Sequence, residues 1–102
     1  MYQKISAVEA KKIMDKEKDV VIVDVREEDE LVEGYIENSL LVPLSHFEDE
    51  IEEKVPNKDK TILLYCRSGR RSAIAGNIME KLGYKKVLDF GGIINWPFDC
   101  VM

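Results

Sequence analysis

Histidine and cysteine are scarce in this chain, which contains one histidine and two cysteines. The two cysteines, Cys66 and Cys100, are too few for a disulfide framework, so a reducing, cytoplasmic setting is the simplest expectation. Neither has a second cysteine or a histidine close to it in the sequence, and we therefore predict no metal site. The chain also lacks an apolar run of membrane-spanning length, and its first residues lack the apolar core of a signal peptide. We expect no metal, no cofactor and no association with a membrane.

Positive charge is in short supply as well, with 15 lysines and arginines against 20 aspartates and glutamates and a net charge of −5. A chain with this balance is not expected to bind nucleic acid. The imbalance is uneven, because residues 1–59 carry a net charge of −9 and residues 60–102 a net charge of +4. A small anionic ligand would therefore be attracted to the second half of the chain, although the molecule as a whole is acidic.

Two kinds of segment alternate along the chain. Short apolar runs rich in β-branched residues are typical of buried strands and occur at residues 20–23, 40–42, 62–65 and 87–90. Helical patterns occur at residues 7–16, 27–33, 45–54 and 72–82. Capping boxes starting at Ser6 and Ser45 are expected to begin two of these helices. The alternation predicts an α/β fold, with a mostly parallel sheet of about five strands and helices on both faces. With 102 residues, we expect one domain, residues 1–102.

Helical spacing also predicts individual contacts. Val8 in the first helix and Ile74 in the last belong to apolar stripes that should face the sheet. Glu30 lies four residues after Arg26, so the two side chains can form an ion pair if that turn is helical. His46, the single histidine, falls in the first turn of a helix, where we expect a surface residue rather than a catalytic base.

The most informative stretch is 61–82, in which an apolar strand ends at Cys66 and a helix follows after a tight turn. The residues after the cysteine supply charge, hydroxyl groups and a flexible glycine, and they are Arg67, Ser68, Gly69, Arg70, Arg71 and Ser72. Backbone N–H groups of such a turn have no intrahelical partner and point into its concavity. Together with the positive end of the helix they form a cradle for an anion. We interpret these six residues as an anion-binding loop around Cys66.

Cys66 is the candidate nucleophile of this loop. Helix N-termini and neighbouring arginines can lower a cysteine pKa from about 8.5 to roughly 3.5–7.5. The sequence therefore predicts a thiolate at neutral pH that needs no histidine base. The alternative interpretation is a buried core cysteine, because free cysteine is among the residues most often buried.

Several motifs in register resemble the rhodanese family of sulfurtransferases. Residues 65–72 (YCRSGRRS) are similar to the active-site loop of that family, and residues 24–26 (DVR) and 91–96 (GGIINW) match segments before and after it. With matches at Gly34-x-Ile36 and Pro43-Leu44 as well, the resemblance runs from about residue 5 to residue 96. This sequence departs from the family pattern in two places between residues 26 and 65. Tyr35 stands where the family commonly has histidine, and the usual Pro-Gly-Ala is replaced at residues 37–39 by Glu37, Asn38 and Ser39.

The resemblance implies a rhodanese-like domain that moves a sulfane sulfur through a persulfide on Cys66. Thiosulfate or another persulfide would be the small anionic donor, and cyanide, a thiol or a small redox or sulfur-carrier protein would be the acceptor. We expect Arg67 and Arg70 to recruit the donor, Arg71 to support the loop and Ser72 to donate to the sulfur. The family would also place Trp96 near the active-site side.

Two other functions are compatible with a cysteine in an anion-binding loop. Phosphatases that resemble this fold have five residues between the cysteine and the arginine, whereas four separate Cys66 from Arg71. A shorter loop encloses less space and favours a sulfur atom over a phosphoryl group, which argues against a phosphatase or an arsenate reductase. A non-catalytic binding module is the second alternative, against which the intact loop argues. The sequence leaves open the physiological donor and acceptor, the oligomeric state and the role of Cys100.

Overall fold

The computed structural model describes residues 1–102 and contains one five-stranded sheet flanked by helices. The strands are β1 (Tyr2–Lys4), β2 (Val21–Asp24), β3 (Ser39–Leu41), β4 (Thr61–Cys66) and β5 (Lys86–Gly92). The helices are α1 (Ala7–Lys16), α2 (Phe47–Lys54) and α3 (Arg70–Lys81), with 3₁₀ turns at Glu28–Glu33, Leu44–His46 and Ile93–Asn95. The strand order is β1-β5-β4-β2-β3 and every neighbouring pair is parallel. The predicted α/β fold with a parallel sheet is confirmed.

Both faces of the sheet are covered. On the face of α2 and α3, buried residues include Val23, Leu64, Ala75 and Met79. On the face of α1, they include Ala10, Ile22, Leu63, Tyr65 and Phe90. The central strands are apolar on both sides for this reason, which explains why their sequences read as continuous apolar runs.

The helix boundaries agree with the sequence prediction at one capping box and disagree at the other. At α1, Ser6 Oγ accepts from the Glu9 N–H and the Glu9 carboxylate accepts from the Ser6 N–H, each at 3.0 Å. At α2 the predicted box is wrong, because Ser45 lies in a 3₁₀ turn and its hydroxyl bonds the Glu27 carboxylate at 3.0 Å. The helix therefore begins two residues later, at Phe47.

Two predicted core positions are also wrong. Val8 is 50% exposed and Ile74 is 47% exposed. Successive helical residues are about 100° apart, so Val8 and Ile74 each lie on the opposite side of their helix from the residue two positions later. Those later residues, Ala10 and Gly76, are the ones that face the sheet. The ring of Tyr2 occupies the space that a Cβ at Gly76 would need, so the missing side chain brings β1 close to α3.

β1 is not apparent from the sequence. This strand is three residues long, lies at the edge of the sheet and has a largely exposed, polar sequence. Such a segment lacks the alternation of apolar and polar residues that marks a longer strand. None of the three helices has the length and apolar character that crossing a membrane requires.

Candidate active site

The carboxyl edge of the sheet carries the loop that follows β4. Cys66 is the last residue of β4, and its partner on β5 is Gly92. The loop backbone passes so close to β5 that a Cβ at Gly92 would collide with the carbonyl oxygen of Arg67. Gly69 caps α3 with φ +104°, a left-handed conformation that favours glycine. The two glycines therefore let the loop fold down over the cysteine.

Cys66 is both buried and hydrogen-bonded. Its exposed fraction is 1%, and it belongs to the core cluster on the α3 side of the sheet. The Gly69 N–H donates to the sulfur at 2.9 Å, and Ser72 Oγ lies 3.6 Å from it. Of the backbone N–H groups expected to form the anion cradle, that of Gly69 is hydrogen-bonded to the Cys66 sulfur. The two interpretations of Cys66, a core residue and an anion-loop residue, are thus compatible, because the loop lies against the core.

Arg71 pairs with a carboxylate outside the loop. Both of its Nη atoms bond the carboxylate of Glu30, at 2.7 and 2.8 Å. These hydrogen bonds lower the pKa of Glu30 to about 2 from its ordinary value of 4.5. The condition for an ion pair between Glu30 and Arg26 is not met, because the turn is a 3₁₀ turn, and Arg26 instead pairs with the buried Asp24 at 2.8 Å.

The other two arginines of the loop have no ion-pair partner. Arg67 and Arg70 are exposed, as is Ser68, and neither arginine makes an ion pair. Arg70 and Lys4 of β1 line a cavity of about 470 Å³ beside the loop. Lys4 on the edge strand β1 therefore adds a second positive side chain to this cavity.

A buried carboxylate, Asp89 of β5, lies behind the loop with an exposed fraction of 2%. Its Oδ1 accepts from the Ser72 hydroxyl at 2.8 Å and from the Gly91 N–H at 2.9 Å, while its Oδ2 accepts from the Tyr2 hydroxyl at 2.5 Å. Burial and this contact with Asp89 raise the pKa of Tyr2. Asp89 was not among the predicted site residues, although a charged residue inside an otherwise apolar strand was a usable signal.

The hydroxyl of Ser72 faces acceptors on two sides. Besides Asp89 Oδ1, the carbonyl oxygen of Gly69 lies 3.1 Å from Ser72 Oγ. A hydroxyl has one proton to donate, and both of these partners can only accept. The oxygen of Ser72 therefore presents a lone pair to Cys66, which differs from the expectation that Ser72 donates to the sulfur.

Other residues considered in the sequence analysis lie away from the loop. His46 is exposed on its 3₁₀ turn. Trp96 stacks against Phe90 at 5.2 Å in the cluster on the α1 face, and it does not line the cavity beside the loop. Burial raises the pKa of the Cys100 thiol. Tyr35 exchanges two backbone hydrogen bonds with Val101, at 2.8 and 2.7 Å.

Cys66 thus lies at the carboxyl end of a parallel strand, beside the N-terminus of α3 and two unpaired arginines, and this is the edge at which ligands bind in such sheets. The model of the Rhodanese-like domain family matches residues 6–97. The chain belongs to this family, which confirms the resemblance seen in the sequence.

Individual relatives agree with this assignment. Over 97 residues the chain is 35% identical to the thiosulfate sulfurtransferase GlpE of Coxiella burnetii, with 94% of this chain and 88% of the relative covered. It is 37% identical over 87 residues to a mitochondrial relative from Schizosaccharomyces pombe. This match covers 74% of this chain and 61% of the length of the relative. A solved rhodanese-related protein from Thermoplasma volcanium superimposes with a TM-score of 0.84 at 32% identity, covering 98% of both chains.

Proposed function

We propose that the chain is a thiosulfate sulfurtransferase that carries a sulfane sulfur as a persulfide on Cys66. The observation that carries the proposal is the position of the Cys66 sulfur, which accepts from Gly69 at the start of α3 beside two unpaired arginines. The curated relative GlpE, named a thiosulfate sulfurtransferase, is similar over 94% of the chain and adds support.

The first half-reaction forms a bond between Cys66 Sγ and the outer sulfur of thiosulfate. The S–S bond of thiosulfate breaks, and sulfite leaves with the electron pair. Cys66 then carries one extra sulfur, whose negative charge is stabilised by the N-terminus of α3 and the loop amides. In the second half-reaction a nucleophile such as cyanide or a thiolate attacks that outer sulfur, and Cys66 leaves as a thiolate. The two steps predict ping-pong kinetics.

Two arginines of the loop are available to bind the sulfur donor. Arg67 and Arg70 have no carboxylate partner, so their charges are available to an anionic donor. Because only 1% of Cys66 is exposed, a donor has to be small and has to enter between the loop side chains. Thiosulfate is anionic and small enough to enter. A small persulfide on a carrier thiol could also enter between the loop side chains. Ser68, between Arg67 and the capping residue Gly69, is exposed at this entrance.

The hydrogen bonds of Arg71 argue against phosphatase chemistry. A phosphatase loop uses its arginine to bind two oxygens of the phosphoryl group, as bidentate guanidinium groups do. Here both Nη atoms of Arg71 already bind Glu30. The four-residue spacing between Cys66 and Arg71 argues in the same direction. Hydrolysis of an aryl phosphate by the purified protein would reverse this choice.

The test is persulfide formation read by intact mass. After treatment with thiosulfate, the protein should gain the mass of one sulfur atom, located on the peptide that contains Cys66, and should then convert cyanide to thiocyanate. The Cys66→Ser variant should do neither. Cys100→Ser is the matched control and should behave as the original protein does.

Two outcomes would contradict the proposal. Thiocyanate production by Cys66→Ser would show that the reaction does not pass through this sulfur. Failure to take up sulfur from every donor in a panel of thiosulfate, cysteine persulfide and polysulfide would favour a non-catalytic binding module.

A further inference from the structure

Three side chains form a continuous chain of contacts from the reacting sulfur into the protein. Cys66 Sγ lies 3.6 Å from Ser72 Oγ, and Ser72 Oγ lies 2.8 Å from Asp89 Oδ1. All three residues are buried, with exposed fractions of 1%, 0% and 2%. No histidine lies in this chain of contacts, because the single histidine, His46, is exposed on a 3₁₀ turn.

The hydrogen bonds have one consistent direction. Asp89 is surrounded by three donors, Ser72, Gly91 and Tyr2, and a carboxylate that receives three hydrogen bonds fits the ionised, acceptor-only form. Ser72 therefore donates to Asp89, and its own oxygen is left as the acceptor that faces Cys66. In this arrangement Cys66 donates to Ser72 and carries its proton before the reaction, in contrast to the free thiolate that the sequence predicts.

We propose that Asp89 is the internal proton acceptor of the reaction and receives the Cys66 proton through the Ser72 hydroxyl. This inference rests on the proposed function for its step, since the proton must leave the thiol when the sulfur attacks a donor. The Cys66 proton moves to Ser72 Oγ while the Ser72 proton moves to Asp89 Oδ1. The negative charge of Asp89 is thereby transferred to the sulfur, and the total charge of the three groups does not change.

Both half-reactions balance with these groups alone. In the first, the thiosulfate S–S bond breaks, sulfite leaves with its electron pair, and the thiol proton ends on Asp89. In the second, the acceptor nucleophile takes the outer sulfur and Cys66 leaves as a thiolate. Asp89 then returns the proton through Ser72, which restores the starting state without an oxidant or a reductant.

Positive groups lie at both ends of this chain of contacts, beside Asp89 and beside the sulfur. The groups that face it are Tyr2 and Lys4 on β1, Cys66 at the end of β4 and Arg70 at the start of α3. α1 packs on the other face of the sheet, against Leu88 and Phe90, and presents no charge to Asp89. Gly69 N–H and the positive end of α3 lie on the sulfur side, where they stabilise the charge after the transfer.

Two titratable groups that share one proton titrate as a pair rather than singly. If Asp89 accepts the proton, the reactivity of Cys66 should depend little on solution pH, because no proton has to leave the protein. If Asp89 is only a negative charge beside the sulfur, it disfavours the thiolate, and removing it should make Cys66 more reactive. The two possibilities thus predict opposite effects of the same substitution.

The experiment is the pH profile of Cys66 alkylation by iodoacetamide, quantified on the Cys66 peptide by mass spectrometry. In the original protein we expect a rate that changes less than about threefold between about pH 6 and pH 8. Asp89→Asn keeps an oxygen that can accept from Ser72 and Gly91 but cannot take the proton. Its rate should rise about tenfold per pH unit, following the thiolate fraction, and at about pH 6 should lie roughly 100-fold below the original.

Asp59→Asn is the matched control, because it makes the same change in net charge at an exposed residue just before β4. Cys66 ends this six-residue strand, so Asp59 lies at the opposite edge of the sheet, roughly 20 Å away at about 3.3 Å per residue. This variant should keep the flat profile of the original protein. Ser72→Ala breaks the chain of contacts while leaving Asp89 in place, and should show the same steep profile as Asp89→Asn.

An Asp89→Asn protein that reacts at about pH 6 as fast as the original, or faster, would overturn the proposal, because that result is expected of a merely repelling charge. A steep profile in the original protein would overturn it as well. If Asp89→Asn does not fold, Ser72→Ala decides alone, and a flat profile for that variant refutes the relay. Alkylation needs no sulfur donor, so a protein that shows the expected profiles but takes no sulfur from thiosulfate would refute the donor assignment and leave the relay intact.

Discussion

Two buried aspartates lie at the carboxyl edge of the sheet, and they are held in different ways. Asp24 ends β2 and pairs with the guanidinium group of Arg26, whose exposed fraction is 0%. Asp89 on β5 has no ion-pair partner and is held by hydroxyl groups and one backbone N–H. A tyrosine hydroxyl donates to each of them: Tyr65 to Asp24 at 2.8 Å and Tyr2 to Asp89 at 2.5 Å.

The difference separates a structural carboxylate from one that can take part in chemistry. A buried charge is stabilised best by an opposite charge with full hydrogen bonding, and Asp24 has both. The pair also orders the turn that follows, because Arg26 donates to the carbonyl oxygen of Gly34 at 2.9 Å. Asp89 lacks a fixed countercharge, so its charge can be exchanged with a neighbour through Ser72.

Removal of the countercharge of Asp24 should have the largest effect on stability. Arg26→Ala leaves a buried carboxylate without its cation, which costs about 3–5 kcal/mol in the free energy of unfolding. Arg70→Ala, which removes a cation near Asp89, should change it by less than about 0.5 kcal/mol because Arg70 is exposed and unpaired. Urea denaturation of both variants measures the difference. Equal losses for the two would contradict the distinction between the aspartates.

A second test concerns the other neutralised arginine, Arg71. Its partner Glu30 has a lowered pKa of about 2 in the folded protein, against an ordinary value of 4.5. A carboxylate with a lowered pKa adds stability above its unfolded-state pKa, and this contribution is lost as the pH falls. Glu30→Gln should therefore cost about 1–2 kcal/mol at neutral pH, allowing for partial exposure of the pair.

The pH dependence is the sharper part of this test. The stability difference between the original protein and Glu30→Gln should shrink as the pH falls from 4.5 toward 2 and should vanish below that range. Glu28→Gln, an exposed neighbour in the same turn, serves as the control and should show no such trend. A difference that stays constant at low pH would show that the pair with Arg71 is not its source. Thermal or urea unfolding at several pH values gives the measurement.

The smallest effects on stability are expected at the free arginines. Arg67→Ala and Arg70→Ala should leave the free energy of unfolding within about 0.5 kcal/mol of the original. Each should raise the KM for thiosulfate about three- to tenfold, with a smaller effect at high salt because exposed charges are screened. Lys81→Ala, an exposed cation at the far end of α3, should leave KM unchanged. Steady-state thiocyanate assays at two salt concentrations would show whether the loop charges act on the donor.

The sequence predicted the parts of the fold and site that depend on local pattern. The strand ending at Cys66, the glycine-containing turn and the start of α3 all lie within one short segment, so composition and spacing were sufficient. Ser45 shows the limit of such reasoning, because Glu27 on a distant turn takes its hydroxyl and the local capping box does not form.

The parts that were missed depend on pairing between distant segments. Asp89 and Ser72 are 17 residues apart, and the contact between Tyr2 and Asp89 spans 87 residues. Nothing in a single sequence shows that a three-residue edge strand brings Tyr2 and Lys4 to the loop. The partner of Glu30 was also misassigned, since helical spacing favoured Arg26 four residues away over Arg71, which is 41 residues distant.

The contact between Gly92 and the carbonyl oxygen of Arg67 has a consequence for how this loop can diverge. Any side chain at position 92 would collide with the backbone of Arg67 and Ser68 and push the segment after Cys66 outward. The close approach of β5 to this segment therefore restricts position 92 to glycine.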